Sequence, residues 1–253
     1  MAALPTVRTR RAEAHLTPRY LPYLDLWARF EPALIELVDR TGAVELGELG
    51  GGANPTLTLL DAVDHPVELT VLDISAGELA KAPDGVTKLQ ADLCAAEPPV
   101  EERFDLVFSR MLCEHVTSGE RFHTNCARAL KPGGHAIHFF PTVPALPFVV
   151  NRLVPEALGD RVLSAVFPAR RAGGQHQKFP AHYHWCWGPT AAQLARYRSA
   201  GFETVGYEVG IGHGYYDRIP GLRTLAARSS ERVLRHPNPL LATYAMVTLR
   251  KVG

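Results

Sequence analysis

The chain contains no uncharged apolar run near the ~18–20 residues that a bilayer-spanning helix needs. Arg8, Arg10 and Arg11 stand near the N-terminus without an apolar stretch behind them, which argues against a secretory signal. The four cysteines, Cys94, Cys113, Cys126 and Cys186, include no CxxC pair. Free thiols in a reducing cytosol fit that scatter better than a disulfide framework, so a cytoplasmic location is expected. Neither sign of charge is in excess, with 27 Lys and Arg against 26 Asp and Glu. With no recognisable binding module, this near-neutral balance disfavours nucleic acid as a partner. Repeats and low-complexity tracts are also missing. What is there is ordinary globular composition, 46% hydrophobic and 21% charged over 253 residues. That length suits one domain of roughly 200–250 residues.

The charge is unevenly placed. Residues 43–140 hold seven basic and fifteen acidic side chains, and residues 141–253 hold fourteen basic and six acidic ones. A basic second half suits either an anionic partner or a plain solvated surface.

Residues 1–18 are polar and aperiodic and read as an arm. A helix is expected from Tyr20, with Leu24, Trp27, Leu34 and Val38 near helical spacing, Pro22 and Pro32 as breaks, and Gly42 as its stop. Short apolar runs then alternate with helical patterns. Strands are expected at 43–46, 69–72, 86–89, 104–108 and 135–140. Between them lie a helix opened by Asn54 and Pro55, one capped by Ser75, and one over 119–130 stopped by Lys131-Pro132-Gly133-Gly134. Residues 141–189 break the rhythm and carry seven of the twenty prolines, with Leu158, Val162 and Val166 at helical spacing. A helix over 190–200, a strand from Phe202, a helix over 222–234 and a last strand over 240–249 follow. The alternation implies a doubly wound α/β sheet of seven strands, mostly parallel with an antiparallel last strand, and helices on both faces. The expected division is an N-terminal arm and helix (1–41), a binding core (42–140), an insertion (141–189) and a C-terminal part of the sheet (190–253).

In such sheets ligands bind beyond the carboxyl ends of the strands. Three features gather there. ELGELGGGANP, residues 45–55, leads a strand into glycines and a helix, which lets backbone approach a ligand closely. Asp73 ends the second strand, where a carboxylate accepts both hydroxyls of a ribose. Asp92 follows the third strand, where a carboxylate accepts from an adenine amino group.

With these residues the chain resembles the class I S-adenosylmethionine-dependent methyltransferases. The resemblance rests on ELGELGGG (45–52), VLDIS (71–75), ADL (91–93), FDLVFSRMLCEHV (104–116) and ALKPGGHAIHF (129–139), with Leu49 where the family usually has its middle glycine. It implies S-adenosylmethionine as cofactor and S-adenosylhomocysteine as product. By that resemblance Glu45, Gly47 and Gly51 shape the methionine and sulfonium pocket, Asp73 holds the ribose, and Ile74 packs on the adenine. Asp92 and Leu93 hold the adenine rim, and Arg110 and Met111 line the methionyl side. The segment before the first helix closes over the methionyl end, with Arg19 or Tyr20 near its carboxylate. Residues 141–189 stand where the family inserts its substrate cover. A nicotinamide enzyme is the weaker reading, since nothing after the fifth strand looks like a nicotinamide-binding half.

A neutral oxygen or nitrogen acceptor calls for a proton acceptor, and His115 and His184 are the candidates. In HYHWCW, His182, His184 and Cys186 alternate, so on a strand they would share a face and permit a metal site. The same segment with Tyr183, Trp185 and Trp187 reads equally as an aromatic pocket wall or a packed core strand; no metal is expected. The expected function is methyl transfer to a small-molecule acceptor, at oxygen before nitrogen or carbon. The acceptor would be apolar or aromatic with an anionic group, matching Leu146, Phe148, Arg161, Arg170, Arg171 and Lys178; membrane-surface contact is the less favoured partner. The alternative is a cofactor-binding protein without methyl transfer, either a regulatory partner or a cyclase-like enzyme.

Overall fold

The computed structural model describes residues 16–143, 180–214 and 220–253. In chain order these form β1 (Arg19–Pro22), α1 (Tyr23–Thr41), β2 (Glu45–Leu49), α2 (Thr58–Ala62), β3 (Glu68–Asp73), α3 (Ala76–Lys81), β4 (Thr87–Gln90) and β5 (Phe104–Arg110). Then come α4 (Gly119–Ala129), β6 (Leu130–Pro141), α5 (Ala191–Ser199), β7 (Phe202–Ile211), α6 (Pro220–Arg235), a 3₁₀ turn (Pro239–Leu241) and β8 (Tyr244–Lys251). They build one mixed sheet of eight strands in the order β1-β7-β8-β6-β5-β2-β3-β4. Only β8 runs antiparallel to its neighbours. The doubly wound α/β expectation holds, with one strand more than the seven expected.

The extra strand is β1. The Pro22 ring disfavours helical backbone at Leu21, which stays extended, and Tyr20 and Leu21 pair with Val209 and Gly210 of β7. Helix α1 therefore starts at Tyr23, not Tyr20. It buries Leu26, Phe30, Leu34, Leu37 and Val38 and runs through Pro32. Gly42 ends it with a left-handed φ of 64°, a conformation glycine takes without strain.

Strands β2 and β3 are buried along nearly their whole length, as expected for parallel strands covered on both faces. One apolar cluster lies on the side of α1, α2 and α3, with Leu26, Phe30, Leu59, Leu79 and Phe139. The other lies beneath α4 and α5, with Phe122, Cys126 and Tyr197. Ser75 caps α3, its hydroxyl accepting from the Glu78 N–H at 3.2 Å. The last strand starts at Tyr244 because Asn238 first caps the 3₁₀ turn, accepting from the Leu240 N–H at 2.9 Å. Among the described residues no helix is long and apolar enough to cross a membrane. The helix expected around Leu158 to Val166, and residues 144–179 generally, lie outside the described residues.

Candidate active site

The carboxyl ends of β2, β3, β4 and β5 point the same way, because these strands are parallel neighbours. At the end of β2, Glu48 is only 5% exposed. Its carboxylate accepts from the Thr56 N–H and the Thr56 hydroxyl, both at 2.8 Å. Burial pushes its carboxyl above the ordinary range, while the two Thr56 bonds oppose that shift. The tether closes the glycine loop over 50–55. Helix α2 begins at Thr58 rather than at Pro55.

The loop is pressed against its neighbours on both sides. Gly50 has φ +71°, and a Cβ there would lie 2.7 Å from Leu112 Cδ1 in the loop after β5. Gly52 has φ +46°, and a Cβ there would lie 3.1 Å from Asp73 Oδ2. Only glycine leaves the backbone this close to a carboxylate without strain. Asp73 Oδ1 accepts from the Ser75 N–H at 2.8 Å, and burial raises its carboxyl above the usual value. Beside it Ile74 is 60% exposed, an apolar side chain left uncovered at the edge. Asp92 is exposed, with Oδ1 accepting from the Cys94 N–H at 2.8 Å, and Leu93 is buried behind it.

β5 supplies the facing wall. Arg110 pairs with Glu31 of α1 at 3.0 Å and lies over the Phe30 ring at 5.8 Å. Met111 has φ +57°, an uncommon conformation for a residue with a Cβ. Its N–H donates to the Phe139 carbonyl at 2.8 Å. The turn then carries Cys113 and Glu114 inward and leaves His115 one-third exposed.

The loop over 180–188 is attached to this turn. The Glu114 carbonyl accepts from the N–H groups of His182 at 2.7 Å and Tyr183 at 3.0 Å. His115 Nδ1 lies 3.0 Å from the Pro180 carbonyl. His115 and His184 are thus both carried by segments joined at the end of β5. The alternation in HYHWCW does not make a strand. Tyr183 and Trp185 take left-handed φ values of 56° and 62°. The exposed rings of His182 and His184 stack at 5.9 Å, whereas Cys186 is fully buried. The shared face that a metal reading needs is therefore absent. Trp185 packs inward, stacked on His123 at 5.5 Å, with its carbonyl accepting from Gln193 at 2.7 Å.

Four expected positions lie away from this edge. Glu45 opens β2 at its amino end, paired with Glu68, its N–H donating to Asp105 at 2.9 Å. Gly47 is inside the strand, where a Cβ would meet Phe104 and Val107 at 3.2 Å. Tyr20 sits on β1, four strand spacings or roughly 19 Å from β5. Arg19, on the same strand, pairs with Glu208 at 3.9 Å. The tripeptide Glu-Leu-Gly occurs twice in succession, at 45–47 and 48–50, and the second copy reaches the edge. Glu48, Glu31 and Glu114 were missed. The repeat was the signal for Glu48, and the adjacency to His115 was the signal for Glu114; Glu31 had none. A cavity of 410 Å³ beside Leu16, Thr17 and residues 203–207 lies at the start of β7, away from these groups.

The glycine loop held against Asp73, with uncovered Ile74 beside it, fits an adenosine. No curated protein matches the sequence. Residues 47–138 match a family described as a methyltransferase domain. An S-adenosylmethionine-dependent methyltransferase from Mesorhizobium loti is similar at TM-score 0.54 and 22% identity, over 90% of this chain and 100% of that one. Phosphoethanolamine N-methyltransferase 2 from Haemonchus contortus, in complex with S-adenosyl-L-methionine, is similar at TM-score 0.51 and 16% identity. That match covers 88% of this chain and 53% of the other. The cyclase SpnF is similar at TM-score 0.51 and 20% identity, over 87% and 82%. The cofactor of the matched family is S-adenosylmethionine. Residues 47–138 match a methyltransferase domain, and the sheet that holds them has the fold of an S-adenosylmethionine-dependent methyltransferase.

Proposed function

We propose that the chain moves a methyl group from S-adenosylmethionine to a small-molecule acceptor, at oxygen before nitrogen or carbon. The observation that carries this reading is the convergence of the Gly50–Gly52 loop, Asp73 and the His115 turn on one sheet edge. The bound cofactor supplies an electrophilic methyl group, already activated by its sulfonium. Asp73 accepts from the ribose hydroxyls, Ile74 covers the adenine, and Asp92 with Leu93 closes its rim. Gly51, Arg110 and Met111 line the methionyl side, and Glu48 takes the place in the loop first expected for Glu45. The protein's remaining task is alignment and removal of the acceptor's proton. His115 and His184 are the proton acceptors of this reading, and a hydroxyl acceptor makes most use of them. Residues 141–189 cover the acceptor, which is apolar or aromatic with an anionic group.

The test is incubation with methyl-labelled donor and a panel of hydroxyl- and amine-bearing small molecules, followed by mass spectrometry. Labelled product and S-adenosylhomocysteine in equal amounts support the reading. Tight cofactor binding without label on any acceptor favours the second reading, a cofactor-binding protein of this fold that transfers no methyl.

A further inference from the structure

Glu114 is 3% exposed, and its Oε2 is buried with no hydrogen-bond partner. A carboxyl in that state is costly unless it is neutral or faces an opposite charge. His115 is placed to supply that charge, its Nε2 lying 3.8 Å from Glu114 Oε1. The other ring nitrogen, Nδ1, lies 3.0 Å from the Pro180 carbonyl. A carbonyl only accepts, so Nδ1 carries the hydrogen and Nε2 is the basic nitrogen of the neutral ring. Neither side chain is on a loose segment. The Glu114 carbonyl holds the His182 and Tyr183 N–H groups, and the His115 N–H donates to the Leu112 carbonyl at 2.8 Å.

We infer that Glu114 is a positioning residue for His115, its carboxylate stabilising the imidazolium that forms when His115 takes the acceptor's proton and fixing that ring against the site wall once Nε2 is protonated. This rests on the methyl-transfer reading. As the acceptor's bond to the methyl carbon forms, the methyl–sulfur bond of the donor would break, its electron pair staying on sulfur in S-adenosylhomocysteine. The acceptor's bond to hydrogen breaks too, and the proton goes to His115 Nε2. The imidazolium then faces the Glu114 carboxylate until it releases the proton to water. Besides His115, which lies 3.8 Å away, the Glu114 charge acts on the thiols of Cys113 and Cys186 among the described residues. Burial raises both thiols, so they stay protonated and neutral. Burial also pushes the Glu114 carboxyl up to about 8. The carboxylate that supports His115 is therefore gained as pH rises through that value.

The experiment is an NMR titration of the full chain labelled at histidine, in wild type, Glu114→Gln and Glu114→Asp, with His115→Gln to assign the signal. In wild type the His115 ring resonance should show an inflection near pH 8 that reports Glu114 ionising. That inflection should vanish in Glu114→Gln and return in Glu114→Asp, which also serves if the Gln variant does not fold. Persistence of the inflection in Glu114→Gln, or its absence in wild type, overturns the pairing. Once an acceptor is known, Glu114→Gln should lower kcat by about tenfold to 10²-fold, below the roughly 10²–10⁴ of a lost base. It should flatten the rise in rate near pH 8. Unchanged kcat and pH profile would overturn the positioning role. Failure to find methyl transfer at all would refute the proposed function, whereas the titration would still report whether the pair exists.

Discussion

Replacing Asp73 by Asn separates recognition of the ribose from stability of the fold. Asp73 Oδ1 is engaged by the Ser75 N–H at 2.8 Å, and Oδ2 faces Gly52. An Asn side chain keeps the shape and one oxygen for Ser75, but puts an N–H₂ where a ribose hydroxyl needs an acceptor. Hydrogen bonds to a charged group contribute about 1.5–3 kcal/mol each. Losing one of them, with the second weakened, corresponds to about 30- to 150-fold in Kd. The fold should hardly respond. Burial already raises the Asp73 carboxyl above its ordinary range, so a neutral amide removes a desolvation cost while keeping the Ser75 contact. Calorimetry with S-adenosylhomocysteine and a thermal melt read the two effects apart. A Kd within about twofold of wild type, in a variant that melts normally, refutes the ribose assignment and the placement of the cofactor with it.

Three further outcomes follow from other parts of the chain. Gly52→Ala places a Cβ at left-handed φ and 3.1 Å from Asp73 Oδ2. The strain of about 1–2 kcal/mol should lower Tm by about 2–8 °C, and calorimetry should show weaker S-adenosylhomocysteine binding. Glu114 titrates near 8 in the folded chain against 4.5 when unfolded, so wild type should lose stability as pH rises between those values. Urea unfolding at pH 5 and 8 should show Glu114→Gln gaining on wild type by about 4 kcal/mol across that window. His123 is held neutral, lowered to about 4 by burial against an unfolded value of 6.5, so its contribution to stability is lost as pH falls through that interval. His123→Phe keeps a ring against Trp185 and should move the acid-unfolding midpoint downward in a circular dichroism titration.

The parallel part of the sheet was readable because its strands are short apolar runs punctuated by turn residues. Glu68–Asp73 and Phe104–Arg110 agree with the runs expected within two residues at each end. β1 was not readable: four residues ending in proline carry no periodicity, and only pairing with β7 makes them a strand. In the site, Asp73 was visible because it directly follows a strand pattern, and His115 because it lies in the turn a few residues beyond one. The glycine register was not, since two copies of Glu-Leu-Gly are equivalent in sequence. Burial of residues 46–49 and the Glu48–Thr56 bonds distinguish them only in three dimensions. HYHWCW alternates like a strand, yet Gly119 sits where any Cβ would meet Trp185 at 2.7 Å. That close approach draws the Trp185 ring inward beside α4, within a loop that turns at Tyr183 and Trp185.

The most direct measurement is a crystal structure of the complex with S-adenosylhomocysteine. The account predicts the ribose on Asp73, the adenine over Ile74 beside Asp92, and the thioether sulfur between the Gly50–Gly52 loop and the Met111–His115 turn. A ligand bound elsewhere on the sheet, or at this edge with its sulfur turned away from His115, would contradict it.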